Sequence, residues 1–477
     1  MKLSRLEVLS EAEISAIHQS SADVLWKVGI LVRSDSVLRM LKEAGCTVDV
    51  ASKVARIPQD VLEAGVKRAP SNVALYDREL KTSLDHGGSN TFAWSGNVGT
   101  FVLTSRSGER RSANIEDVGR FARVADALEN IHVVGVQVVP QDVKGPLGEI
   151  MSTRQMFANT SKHIFVCHSD PSVARTQFEM TRAVLGGKRL DRFPILTSLV
   201  DPESPLTWSQ GPVETLVDDA VAGVPCIVAS APTSGGTVPI SLAGTLVVQN
   251  AEILSGMLIS QLANPGAPVI YGTASLIMDM REGRALIGTP ETVALRIAIA
   301  QLGRFYNLPT QSIGPDSDSH CLDQQNAWES AITAAAAISS QANILMDAGM
   351  FAAGLTVSYE QLVIDNEILG SLFHLRRGIE VTRETLATKQ IEQVGQSGNY
   401  LRSDLQFATQ RLKAEYWTSE LSCRLAYGKW IRNGAKDATT TAREKADELL
   451  ENHKPVELDK DTTKALDQIV ENFKGKL

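Results

Sequence analysis

Between about residue 90 and residue 350, short apolar runs alternate with longer stretches in which apolar side chains recur at helical spacing. The runs 91–95, 132–139, 163–168, 193–200, 225–229, 268–272, 309–313 and 342–346 are rich in β-branched and other apolar residues and short enough to be buried strands. Helical patterns fill the intervals at 114–128, 172–185, 212–222, 246–262, 291–306 and 327–340. Such alternation predicts parallel strands joined by crossover helices. Eight strand candidates in this length fit a closed (β/α)8 TIM barrel, of class α/β. An open doubly wound sheet is the alternative, although no Gly-x-Gly-x-x-Gly follows any of the runs.

The flanks read differently. Across 10–44, Ile14, Ile17, Val24, Leu25, Val28, Val37, Leu38 and Leu41 fall at helical spacing, and Ser10 with Glu13 forms a capping-box pattern. A second helix is expected from near Pro58 to just before Ala69-Pro70, because proline suits a first helical turn and its predecessor resists helix. Beyond Gly354 come charged helical patterns at 362–376 and 411–430 and a Lys/Glu-rich tail. The expected organisation is a helical N-terminal lead at 1–88, the barrel at 89–353, and a helical C-terminal extension at 354–477. An extension of this kind covers a barrel face or makes subunit contacts, so a homo-oligomer is expected.

Composition narrows the partners. A net charge of −8, from 55 acidic and 47 basic residues without long runs of either, speaks against nucleic acid or an anionic membrane surface. A small cation or a basic protein patch suits it better. Cys46, Cys167, Cys226, Cys321 and Cys423 are scattered and form no Cys-x-x-Cys pair, so neither a disulfide framework nor a cysteine-rich zinc site is expected, and a reducing cytoplasm fits. No export signal is read at the N-terminus, and no uninterrupted apolar run approaches the roughly 20 residues of a membrane span.

In a barrel the chemistry gathers where the strands end. The residues following the apolar runs, including Trp94, Asn97, His168, Asp201, Tyr271, Asp316, Asp347 and Phe351, are aromatic and acidic, and the set contains no lysine or arginine. Aromatic faces with nearby carboxylates suit a quaternary ammonium, although Trp94, Tyr271 and Phe351 serve equally well as core caps. The densest polar segment runs from Asp316 to Glu329, between a strand and a helix, where Asp318 and Asp323 are also natural helix caps. His168 and His320 with Cys167 or Cys321 lack a repeated ligand spacing, so no metal is expected.

Taken in order, several pieces resemble the trimethylamine methyltransferase family along nearly the whole chain. They include Ile57-Pro58, Gly108-Glu109-Arg110-Arg111, Asp126 to Ile131, Ser204-Pro205-Leu206, Gly235 to Gly244, Asn250 to Leu254, Pro265 to Gly272, Gly288 to Glu291, the loop from Asp318 to Glu329, and Gly434 to Asp437. The resemblance implies a one-carbon enzyme that methylates cob(I)alamin carried by a separate corrinoid protein docked over the barrel mouth. Archaeal trimethylamine enzymes of that family carry pyrrolysine, whereas this chain has only the ordinary twenty residues, and His320 stands where the family often has lysine. Members without pyrrolysine resemble glycine betaine methyltransferases, so a quaternary amine, glycine betaine first, is the expected methyl donor. On this reading Asp318 and His320 are catalytic, and Trp94, Asn97, His168, Tyr271, Gln325 and Phe351 bind substrate. Trimethylamine, carnitine, proline betaine or γ-butyrobetaine as donor, and a non-catalytic betaine-binding protein, are the competing readings.

Overall fold

Apolar strands that alternate with amphipathic helices bury both faces of a parallel sheet, and here that sheet closes on itself. The structure is a computed structural model and describes residues 5–104, 108–143, 145–396, 398–400, 409, 411–412 and 415–476. Its central strands are β1 (Phe92–Ser95), β2 (Val133–Gly135), β3 (His163–Cys167), β4 (Leu196–Val200), β5 (Cys226–Ser230), β6 (Val269–Thr273), β7 (Gln311–Ile313) and β8 (Ile344–Ala348). They lie side by side in chain order; β8 pairs with β1, and β6 meets β7 at Tyr271 and Thr310. All eight expected strands are present, and the barrel replaces the open-sheet alternative.

A helix follows each strand: α1 (Ile115–Ala127), α2 (Pro146–Asn159), α3 (Pro171–Val184), α4 (Gln210–Ala222), α5 (Leu242–Ala263), α6 (Pro290–Phe305), α7 (Gln324–Ser339) and α8 (Tyr359–Arg377). The sequence pattern passes over α2, because Gly148, Ser152 and Thr153 occupy much of its buried face and leave no apolar stripe to detect. Helix α8, the barrel's last, begins beyond residue 354, inside the stretch assigned from sequence to the extension. Of the described helices, α5 alone is long and apolar enough to cross a membrane, and 72% of its apolar window is buried inside the protein.

Strand alternation divides the core. Trp94, Val133, Phe165, Ile227, Ala229, Ile270, Ile344 and Met346 fill the barrel interior with Val73 and Leu75. The latter two come from a hairpin, Asn72–Tyr76 with Ser83–Gly87, which plugs the N-terminal end of the barrel; Tyr76 N–H donates to the Pro194 carbonyl at 2.9 Å. Plugging one end leaves the opposite, C-terminal end as the mouth.

The 10–44 stretch is two helices rather than one. The capping box of Ser10 and Glu13 starts the helix Glu11–Lys27, but Gly29, at φ +84°, turns the chain into the strand Ile30–Val32 before the helix Asp35–Glu43. A side chain at Gly29 would place Cβ 2.6 Å from the Ala55 carbonyl oxygen. The strand pairs with Val54–Arg56 and with Thr207–Trp208 beyond β4, tying the lead to the barrel. As expected, Pro58 caps the next helix, Gln59–Val66. In the extension, Ala438–Asn452 packs on α8 and α1, and Lys460–Lys474 on α2 and α3. The expected helix at 411–430 is interrupted: residues 416–426 carry no helix, Ser422 N–H instead donates to Ser419 Oγ at 2.7 Å, and helix resumes only at Tyr427–Arg432. Residues 413–414 of that stretch lie outside the described residues.

Candidate active site

Three carboxylates stand at strand ends on the mouth side, and two of them, Asp316 and Asp347, interact. Asp201 follows β4 and is open to solvent within the concave surface, yet crowded by protein, and the lost hydration pushes its carboxyl up to about 7. Asp347 lies in β8 where the register against β1 slips between Leu345 and Ala348. Strict alternation would send it outward after the inward Met346; the bulge and its φ of +88° re-aim it. Burial raises its carboxyl to about 6. Asp316, beyond β7, is fully buried and pushed up by burial and then by repulsion from Asp347, with Arg296 opposing.

Arg296 reaches this group from α6. Its Nη1 donates to the Ile313 carbonyl at 3.5 Å, while Nε and Nη2 have no hydrogen-bond partner among the described residues. Asp316, Asp347 and Asp318 surround it electrostatically and favour its charged form against burial. The sequence reading of a mouth without arginine therefore needs correcting: a helix behind the strands supplies one. Met350 and Gln137 lie against Gly96 just past the end of β1, with Gln137 Nε2 donating to the Ala348 carbonyl at 3.0 Å and its Oε1 lacking a partner among the described residues.

The residues proposed from sequence are dispersed. Asn97 lies at the mouth, its Nδ2 donating to Cys167 Sγ at 3.2 Å and its backbone N–H meeting Met350 Sδ at 3.0 Å. Phe351 is fully buried immediately after β8, beside Ala352, whose N–H donates to the Ser319 carbonyl at 3.0 Å. Asp318 is engaged by backbone, accepting from Ile287 N–H at 3.0 Å and Gly288 N–H at 2.9 Å. His320 is exposed on the rim, 3.4 Å from Arg284. Gln325 donates to Glu329 at 3.0 Å.

Three others point away from the mouth. Trp94 sits within the barrel, its ring 5.4 Å from Phe165 and 5.7 Å from His86 of the plugging hairpin. Tyr271 faces outward from β6 and donates to Asn250 Oδ1 at 2.6 Å beneath α5. His168, one residue past inward-facing Cys167, turns outward and pairs with Asp219 at 3.3 Å, while Gln177 bonds its other nitrogen. That ion pair raises its pKa against the opposing effect of burial, the larger single influence. The expected aromatic ring thus does not assemble from Trp94 and Tyr271. Alternation along β1 and β6 decides their faces, and both lie before the strand ends. Among the described residues, no three histidine, cysteine, aspartate or glutamate side chains gather as a metal site.

The closed parallel barrel thus carries carboxylates at the C-terminal ends of its strands and a buried guanidinium that reaches them from a helix. The chain matches the trimethylamine methyltransferase (MTTB) family over residues 1–476 and belongs to it. It is 34% identical to trimethylamine methyltransferase MttB of Desulfitobacterium hafniense over 463 residues, 97% of this chain and 93% of that one. The glycine betaine methyltransferase of another strain of that species is 32% identical over 460 residues, 96% of this chain and 95% of that one. The crystal structure of Methanosarcina barkeri monomethylamine methyltransferase shares the fold, with a TM-score of 0.51 at 12% identity over 94% of this chain and 96% of that one.

Proposed function

We propose that this methyltransferase removes one methyl group from a small amine with a cationic nitrogen, glycine betaine first among them, and passes it to a separate corrinoid protein. The observation that carries the reading is the grouping of Asp316 and Asp347 around the buried Arg296 guanidinium, with Asp201 at another strand end of the same barrel face. Negative charge in a crowded, partly dehydrated site attracts an ammonium far more strongly than it would in water. A quaternary nitrogen already carries the charge that makes a neutral amine leave: the N–CH3 bond breaks with its electron pair going to nitrogen, and no proton is required. The protein's part is then orientation and exclusion of water. Cob(I)alamin, carried by the corrinoid protein, supplies the nucleophile.

Asn97 and Phe351 are assigned to the substrate, and the unfilled Nε and Nη2 of Arg296 suit the carboxylate of a betaine. His320, with Arg284 on the rim, is assigned to that carboxylate or to the incoming protein. Asp318 is assigned to holding the loop, and Trp94, Tyr271 and His168 act through the packing around the mouth. The trimethylamine reading is supported by the relatives that bear that name, and the carboxyl of Asp201, titrating near neutrality, suits an amine that exchanges a proton. Loss of cob(I)alamin absorbance, followed with glycine betaine, trimethylamine, carnitine, proline betaine and γ-butyrobetaine in turn, tests the assignment. Turnover of trimethylamine alone overturns it, and betaine binding without any methyl transfer marks a binding protein.

A further inference from the structure

Two of the sequence pieces that the chain shares with its family, Ser204-Pro205-Leu206 and Asn250 to Leu254, meet in space at one carboxylate. Glu252, on α5, is fully buried. Its Oε2 accepts from Ser204 Oγ at 2.8 Å and from the hydroxyl of Ser230 at the end of β5, while its Oε1 accepts from Leu206 N–H at 2.8 Å. Leu206 holds φ at +54°, a conformation unfavourable for a residue with a branched side chain, and the bond to Glu252 helps to keep the backbone there. The loop is also tied to itself, through Glu203 N–H to the Thr207 carbonyl at 2.8 Å and Thr207 N–H to the Glu203 carbonyl at 3.0 Å. A buried carboxylate with three donors thus fastens the loop that follows β4 to the end of β5.

Asp201 stands at the head of that loop. The register of Val200 opposite Val228 carries Asp201 to the level of Ala229, one residue before Ser230. Alternation sends Val200 and Val228 out towards α5 and Leu199, Ile227 and Ala229 into the barrel, so Asp201 turns to the mouth while Ser230 turns to Glu252. Glu252 therefore works from behind the strand ends. We infer that Glu252 is a positioning residue for Asp201: by clamping the loop after β4 to the end of β5, it fixes where the Asp201 carboxylate meets the methyl donor. The inference rests on the proposed reading of the mouth as the site of the cationic nitrogen. Glutamine at this position keeps the shape but puts an NH2 group where an oxygen accepted, so at least one of the three donors then faces a donor. The loop loosens, and Asp201 moves and gains water.

The test measures methyl transfer from glycine betaine to the corrinoid protein by E252Q, D201N and the double variant across pH 6 to 8. E252Q is expected to raise KM by about threefold to tenfold with little change in kcat, because attraction weakens as the charge is displaced and hydrated. Its KM should respond to pH at lower values than in the wild type, since a better hydrated carboxyl releases its proton earlier. In the D201N background E252Q should add nothing to KM, because the two residues act as one. S204A, which removes a single donor, should move KM and the pH response in the same direction by less, and it serves if E252Q does not fold. A wild-type pH response in E252Q and S204A, or effects of D201N and E252Q that multiply, overturns the inference. If D201N leaves KM unaltered, the reading of the mouth fails instead. The crystal structure of E252Q then judges the clamp alone: a displaced 201–206 loop upholds it, and a loop in the wild-type position refutes it.

Discussion

Asp201 is the one mouth carboxylate that is both open to solvent and held near neutrality, so its charge varies over the pH range in which an enzyme is ordinarily assayed. Protonation removes the attraction for an ammonium. KM for a quaternary amine is therefore expected to rise as pH falls from 8 to 6, through the value of about 7, and D201N should raise KM about tenfold and flatten that dependence. Initial-rate measurements across the range check it; a slope surviving in D201N assigns the titration elsewhere. Tyr271 belongs to a different category. Its hydroxyl serves Asn250 at 2.6 Å beneath α5, so Y271F should cost about 1–2 kcal/mol in urea unfolding and leave kcat/KM unaltered. A loss of activity without loss of stability would return Tyr271 to the substrate.

At the scale of elements, the mouth is held by two devices. One is the irregular end of β8, where Asp347 adopts φ +88°, a conformation that costs a residue with a side chain about 1 kcal/mol or more. D347G relieves that strain and removes a buried carboxylate, so it should raise the melting temperature while depressing methyl transfer. Reduced stability would show that Asp347 pairs with Arg296 more strongly than its backbone is strained. The other device is the β7–α7 loop, pinned to the start of α6 by Asp318 through the N–H groups of Ile287 and Gly288. D318A leaves those donors unfilled and should cost about 1–3 kcal/mol in unfolding experiments. A variant as stable as the wild type but unable to bind amine would make Asp318 a substrate contact.

At the scale of the molecule, the two ends of the barrel titrate in opposite senses. At the plugged end, burial lowers His86 and His163 to about 3 and His132 to about 4 from 6.5. The unfolded chain binds those protons first, so this end loses stability as pH falls from about 6.5 towards 3 to 4. At the mouth end, Asp201 and Asp365 are raised to about 7 and Asp347 to about 6 from 3.8. There the folded chain binds protons first, and its stability grows as pH falls from 7 towards 3.8 and is lost again as pH rises. The opposing slopes should leave the urea midpoint nearly level between about pH 6.5 and 4. In D201N/D347N, with two of the three raised carboxyls removed and Asp365 left, the midpoint should decline across that interval; a level profile there would show that the buried histidines are not held neutral.

The chain by itself determined the eight strands, their order and all but α2 of the helices between them, because burial on both faces of a parallel sheet writes a run of apolar residues that survives without any knowledge of neighbours. It also marked which residues end each strand, and Asn97, Asp201, Asp316 and Asp347 were all among them. Which of these meet was decided only in three dimensions. The bulge in β8 turns Asp347 inward, alternation in β6 turns Tyr271 away, and Arg296 arrives from a helix whose sequence reads as ordinary core. Local pattern records burial; the direction of a side chain and the company it keeps depend on contacts between segments far apart in the chain.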